Sequence, residues 1–248
     1  MTTIDITPQP EQVELTRTRG ALAAVSVVFV AILNLILTLT MPTVSDEVLA
    51  QLDDLAAGRD PDYTPDFSEL PDDVPSEVTE VSAPVDVAND YAAWELFNDL
   101  TTVMWFGAVV AFLVWLWRAR TVAGAVADWQ LDYSRPKAIW SWFVPGVNLL
   151  LPYRVVAEIW QASKPDDDNS GRGLLVGWWT CWIVSLFASL FSVYDLATTL
   201  TSPQPSATFS NGVAAAYVSA LAVVGAAVFL VPIIQRIDSW QMAAAQRR

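Results

Sequence analysis

The sequence predicts an all-α integral membrane protein: four transmembrane helices, with a broken helical segment, re-entrant or interfacial, on the cytoplasmic side. Three observations carry this prediction. Of 248 residues, 54% are hydrophobic and only 16% charged, and the mean hydropathy is +0.38, more apolar surface than an ordinary soluble domain buries. Four apolar runs, at residues 20–41, 96–117, 174–196 and 213–234, each reach the ~20 helical residues needed to cross a hydrocarbon core of about 30 Å. A further apolar stretch, residues 140–160 with sequence WSWFVPGVNLLLPYRVVAEIW, is interrupted by Pro145-Gly146 and Pro152. Proline removes a backbone donor and clashes with the preceding turn, so this stretch predicts two short helical pieces with a bend.

Charge is unevenly placed. The formal net charge is -14, yet 15 of the 27 acidic residues fall within residues 41–95, beside a single basic residue, Arg59. An acidic segment of that density repels nucleic acid and anionic lipid, so neither is expected as a partner on that side. There is no histidine, and Cys181 is the one cysteine, set inside an apolar run. Disulfides within the chain, His/Cys zinc sites, haem ligation by histidine and imidazole bases are thereby removed, and no cofactor or metal is expected.

Residues 1–19 form an expected cytoplasmic tail, with Arg17 and Arg19 immediately before the first span at 20–41. That run is about twice as long as a signal-peptide core and no small-x-small site follows, so it is expected to remain as an anchor. Residues 42–95 form an expected extracytoplasmic loop. In it, Ser45, Asp46 and Glu47 precede Val48, Leu49, Leu52, Leu55 and a closing Gly58, the pattern of a short amphipathic helix. Residues 59–86 hold five prolines among many acids, too few apolar groups to offset chain entropy. Asp60, Asp62 and Asp66 there lack the glycine turn and terminal glutamate of a calcium loop.

The second span, 96–117, is expected to begin as a helix before it enters the bilayer. It ends in Trp115 and Trp117 followed by Arg118 and Arg120, an interfacial belt and positive charge that place this end inside. Residues 118–173 then form the cytoplasmic-side region. Val122, Val126, Trp129 and Tyr133 share one face and predict an interfacial helix over 121–133. The broken stretch follows, a hub in which Asn148 is expected to satisfy freed backbone or neighbouring groups. After Pro152, Val155, Val156, Ile159 and Trp160 mark one helical face, with Arg154 and Glu158 spaced to pair at i, i+4. The third span is 174–196, the outer loop 197–212 and the fourth span 213–234, where Ala215, Ser219, Ala222 and Ala226 form a small-residue seam. Residues 235–248 are expected as a cytoplasmic tail. Asn34, the polar residue within the first span, predicts an interhelical hydrogen bond.

Within the hub, Trp140, Trp142, Phe143, Val144, Pro145, Asn148, Pro152, Tyr153, Glu158, Ile159, Trp160 and Ser163 resemble the signature of domain of unknown function 4328. The likeness extends over roughly residues 94–236. What the resemblance implies is a multi-span protein of a bacterial, mostly actinobacterial, plasma (inner) membrane, and it supplies no catalytic residues.

The functional expectation is an interaction, scaffolding or accessory subunit, held by the lipid bilayer and joined to a protein partner or to further copies of itself through its transmembrane helices or the acidic loop. Its candidate structural or interaction motif is Trp140, Trp142, Phe143, Pro145, Gly146, Asn148, Pro152, Tyr153, Arg154, Glu158 and Trp160. The alternative is a transporter or channel component with the broken hub as a substrate site. Against it, the middles of the four spans carry no Asp, Glu, Lys, Arg or His, the residues that usually mark an ion route. A lipid-headgroup enzyme comes third, since no nucleophile and base pair can be named.

Overall fold

A computed structural model describes residues 10–41, 83–166, 168, 171–199 and 205–247. Helix α1 is Pro10–Leu39, α2 is Ala83–Val126, α3 is Arg135–Trp140, α4 is Leu151–Ser163, α5 is Gly173–Thr199 and α6 is Pro205–Gln246, with a 3-10 turn at Val147–Leu149 between α3 and α4. No strand forms among the described residues. Four helices contain segments long and apolar enough to cross a membrane: Thr18–Leu39, Ala93–Val126, Gly173–Thr199 and Asn211–Gln246. The protein is therefore an all-α membrane protein with four candidate spans. The amphipathic helix expected at 45–58, the linker expected at 59–86 except its last four residues, and Asp60, Asp62 and Asp66 lie outside the described residues.

The four long helices alternate in direction. Gly20 of α1 lies against Asp238 toward the end of α6, while Trp94 in the first half of α2 donates its indole N–H to Leu37 O, 3.2 Å away, near the end of α1. Helix α5 packs along α6 through small residues that bring the backbones together. A Cβ at Gly177 would lie 2.9 Å from the Phe229 ring, and one at Gly225 would lie 3.0 Å from Cys181 Sγ. Ser219 of α6 lies 2.7 Å from Ser189 and donates to Ser185 O at 3.1 Å, so the expected seam on the fourth span faces α5. The other side of α6 packs on α1, which in turn packs on α2. Helices α2 and α5 hardly touch directly, and the segment between them fills the gap.

Several boundaries differ from expectation, each for a packing reason. No separate interfacial helix forms over 121–133: α2 continues to Val126 because Ala119 and Ala123 are wholly buried against the rest of the bundle, and residues 127–134 are irregular. Residues 83–86, expected in the linker, already belong to α2. Most of the stretch expected as a C-terminal tail is helical, the last part of α6, where Ile233, Ile234, Ile237, Trp240 and Gln241 continue one buried stripe past Pro232. Asn34 contributes its backbone carbonyl to Thr38 Oγ1, and no side-chain hydrogen bond joins it to another helix among the described residues.

Candidate functional site

The hub folds as its prolines and glycine dictate. Ser134 caps α3 by accepting from Lys137 N, and Pro136 occupies the first turn, where a missing N–H costs nothing. After Trp140 the chain turns, with Phe143 N donating to Trp140 O at 3.0 Å. Gly146 has φ 77°, a left-handed conformation that a side chain disfavours, and it is the one positive φ among the described residues. The 3-10 turn follows, and Pro152 starts α4, whose Val155, Val156, Ile159 and Trp160 are all buried.

Trp142 is the wedge between α2 and α5. Its ring centre lies 5.2 Å from Phe112 of α2, and 6.3, 6.3 and 5.9 Å from Trp178, Trp179 and Trp182 of α5. Trp179 and Trp182 stack at 4.8 Å with planes 15° apart, and Tyr153 meets Trp179 at 6.1 Å. Offset and edge contacts of this kind add roughly 0.5–1.5 kcal/mol per pair to simple burial. Trp142 Nε1 is buried without a hydrogen-bond partner.

Beside this aromatic cluster, polar side chains tie helix to helix. Arg120 of α2 donates through Nε to Tyr133 O at 2.6 Å and lies 3.9 Å from Glu158 Oε2. Glu158 Oε1 accepts from the Asp132 backbone N–H. Gln241 of α6, only 2% exposed, donates to Ala119 O at 2.9 Å and to Ser163 Oγ at 2.8 Å. Trp115 donates through Nε1 to Asp238 Oδ1 at 3.0 Å, and a Cβ on Gly20 of α1 would overlap that same carboxylate. Trp160 and Trp240 meet edge to face at 4.6 Å. Residues 133 and 163, at either end of the hub, are thus fastened to the same end of the bundle.

The predicted motif is divided by this packing. Pro152 and Trp160 are buried and Trp142, Tyr153 and Glu158 are half-buried, whereas Trp140, Phe143, Pro145, Gly146 and Arg154 are exposed. Glu158 does not pair with Arg154: α4 turns Glu158 toward α2 and leaves Arg154 facing out. Asn148 uses its backbone N–H on Val144 O at 3.0 Å, and its side chain makes no hydrogen bond among the described residues, contrary to expectation. Arg120, Asp238 and Gln241 were not anticipated as ties. The signal for the last two is the spacing Ile234, Ile237, Asp238, Gln241, which continues a helical face beyond the apolar run. Among the described residues, no three His, Cys, Asp or Glu side chains gather as a metal site.

Two clefts open beside the hub end. One, of about 810 Å³ between α1 and α6, runs from Phe29 and Ile32 to Asp238 and Ser239. The other, of about 570 Å³, is bounded by Arg19 of α1, Arg118 and Trp117 of α2, and Arg135 and Ile139 of α3. At the opposite end Asp195 is 6% exposed with Oδ2 unpartnered, against Gly212 and a cavity of only about 70 Å³.

Residues 82–239 match the family described as Domain of unknown function (DUF4328). The chain belongs to this family. The matched DUF4328 region holds α2 through almost all of α6, and so contains the Trp142 wedge and the interhelical polar ties described above except those of Trp94 to Leu37 and of Gln241. Helix α1 lies before the DUF4328 match, although Gly20 seats it on Asp238 within the match. No curated protein matches the chain, and neither does any solved structure.

Proposed function

We propose that this DUF4328 protein is an interaction, scaffolding or accessory subunit of a bacterial plasma (inner) membrane, with both termini and the hub cytoplasmic and residues 42–95 outside. Its main support is the commitment of the hub-end polar groups to internal ties. Arg120, Glu158, Asp238 and Gln241, the groups a substrate site would draw on, hold α2, α4 and α6 to one another and to the chain around Asp132 and Tyr133. What faces outward is an apolar girdle at membrane depth and charged ends. The orientation is supported by Arg19, Arg118, Arg120, Arg135, Lys137 and Arg236, which all belong to the hub end of the bundle, whereas the opposite end carries Glu95, Asp99 and Asp195.

The hub is further proposed to dip into the inner leaflet and return. Trp142 reaches Phe112, six residues deeper along α2 than Arg118, about 9 Å at the helical rise. Both ends of the hub nevertheless tie back to the same end of the bundle.

The test is crosslinking in intact cells followed by purification in mild detergent, with the full chain compared against one in which residues 45–86 are replaced by a neutral linker of equal length. A defined partner or a second copy, retained by the full chain and lost with the acidic residues or with substitutions on the outer helix faces, is the expected result. A chain that remains solitary in both forms while a knockout abolishes uptake of a solute would replace this proposal with the transport alternative.

A further inference from the structure

We infer that the cleft among α1, α2 and α3 is a binding site for an anionic phospholipid, with the phosphodiester held by Arg19, Arg118 and Arg135. These three arginines come from three different elements and line one cleft of about 570 Å³, Arg135 at its exposed edge. Arg19 and Arg118 are half-buried, and no carboxylate among the described residues pairs with any of the three. Two carboxylates at this end of the bundle are engaged elsewhere, Glu158 with Arg120 and the Asp132 N–H, and Asp238 with Trp115. Thr121, also on the rim, spends its hydroxyl proton on Trp117 O at 2.8 Å, which leaves the arginines as the donors.

The walls identify the ligand as a lipid. Val110, Leu113 and Val114 line the cleft on α2 and Ile139 lines it on α3. Val110 is eight residues from Arg118, so the apolar wall extends about 12 Å along α2, away from the charged rim and toward the middle of the span. A peptide carboxylate or a soluble anion would use the rim and leave that wall empty, whereas a phospholipid occupies both with one molecule. Trp117 on the rim is an interfacial residue that marks headgroup depth. Arginine suits the site because its planar fork meets two phosphate oxygens at once, and basic pockets between spans are the usual seats of anionic headgroups.

The full-length protein, purified in detergent, would be examined by native mass spectrometry with phosphatidylglycerol and phosphatidylcholine of identical acyl chains. Retention of phosphatidylglycerol over phosphatidylcholine on the order of tenfold is expected. Replacing all three arginines (R19Q, R118Q and R135Q) should abolish that preference, while Arg236→Gln with Arg247→Gln, which removes charge from the same end outside the cleft, should preserve it. If the triple variant fails to fold, Val114→Trp serves instead, since it fills the apolar wall, keeps every charge and should lower phosphatidylglycerol retention severalfold. Equal retention of the two lipids by the native protein would overturn the inference. So would equal loss in the Arg236 and Arg247 variant, which would mean diffuse surface charge, or full competition by glycerophosphoglycerol, which would mean a soluble-phosphate site.

Discussion

Gln241 and Glu158 show how little of a buried polar group's importance is visible from its type. Gln241 alone bridges α6 to a carbonyl of α2 and to the last residue of α4. Gln241→Ala should therefore destabilise the protein by about 2 kcal/mol, from two lost hydrogen bonds and acceptors left unpaired. Gln241→Glu should be at least as harmful, because a carboxylate cannot donate to Ala119 O. Both are measurable as shifts in the midpoint of tryptophan-monitored unfolding in mixed detergent. For Glu158 the order differs. Glu158→Gln retains an oxygen for the Asp132 N–H and loses only the charge facing Arg120, whereas Glu158→Ala loses both the charge and that acceptor, at a cost of about 3 kcal/mol. A Glu158→Gln variant as stable as the native protein would show that the Arg120 pair contributes nothing, and equal effects of the two substitutions would show the same of the Asp132 hydrogen bond.

Among the elements, the hub is the one whose local sequence and tertiary role can be separated experimentally. Gly146 has open space around the position a Cβ would take, so any penalty for Gly146→Ala is conformational: about 1–3 kcal/mol for a side chain held at φ 77°, ψ -43°, and Gly146→Asn should fare no better, because this ψ lies outside the left-handed helical basin that asparagine tolerates. Trp142→Ala should cost more, about 3–5 kcal/mol, because it removes the side chain that joins α2 to α5. Unfolding midpoints of the three variants, ranked against the native protein, check the order. The four spans, the break at Pro145-Gly146 and the buried face of α4 were legible in the sequence because each follows from local chemistry: apolar length, proline and glycine geometry, and helical period. The partner of Glu158 was not. At i, i+4 the local choice was Arg154, and only the path of residues 127–134, which brings Tyr133 and Asp132 back under α2, presents Arg120 instead. The continuation of α6 as a helix past residue 234 was not legible either, because polar Gln235, Arg236 and Asp238 mask the buried stripe of Ile234, Ile237 and Trp240 that continues between them.

For the whole molecule, the orientation is open to a direct test. A cysteine at Val147 in a Cys181→Ser background should react with a membrane-impermeant maleimide only after the cytoplasmic face is exposed, and a C-terminal reporter should be active only inside; labelling from outside would reverse the proposed topology. The lengths of α2 and α6 also have a mechanical consequence. At 44 and 42 residues each is a rod of roughly 65 Å, about twice the hydrocarbon thickness. Helix α2 begins near the end of the acidic segment of the sequence and runs, without a proline after its first turn, to the end of the bundle that holds Arg120 and the hub. A stiff rod cannot absorb a tilt along its length, so leaning α2 by about 5° moves its far end by roughly 6 Å relative to the near one. A displacement imposed at the Ala83 end of α2 is thereby carried, through Phe112, to the tryptophan cluster around Trp142.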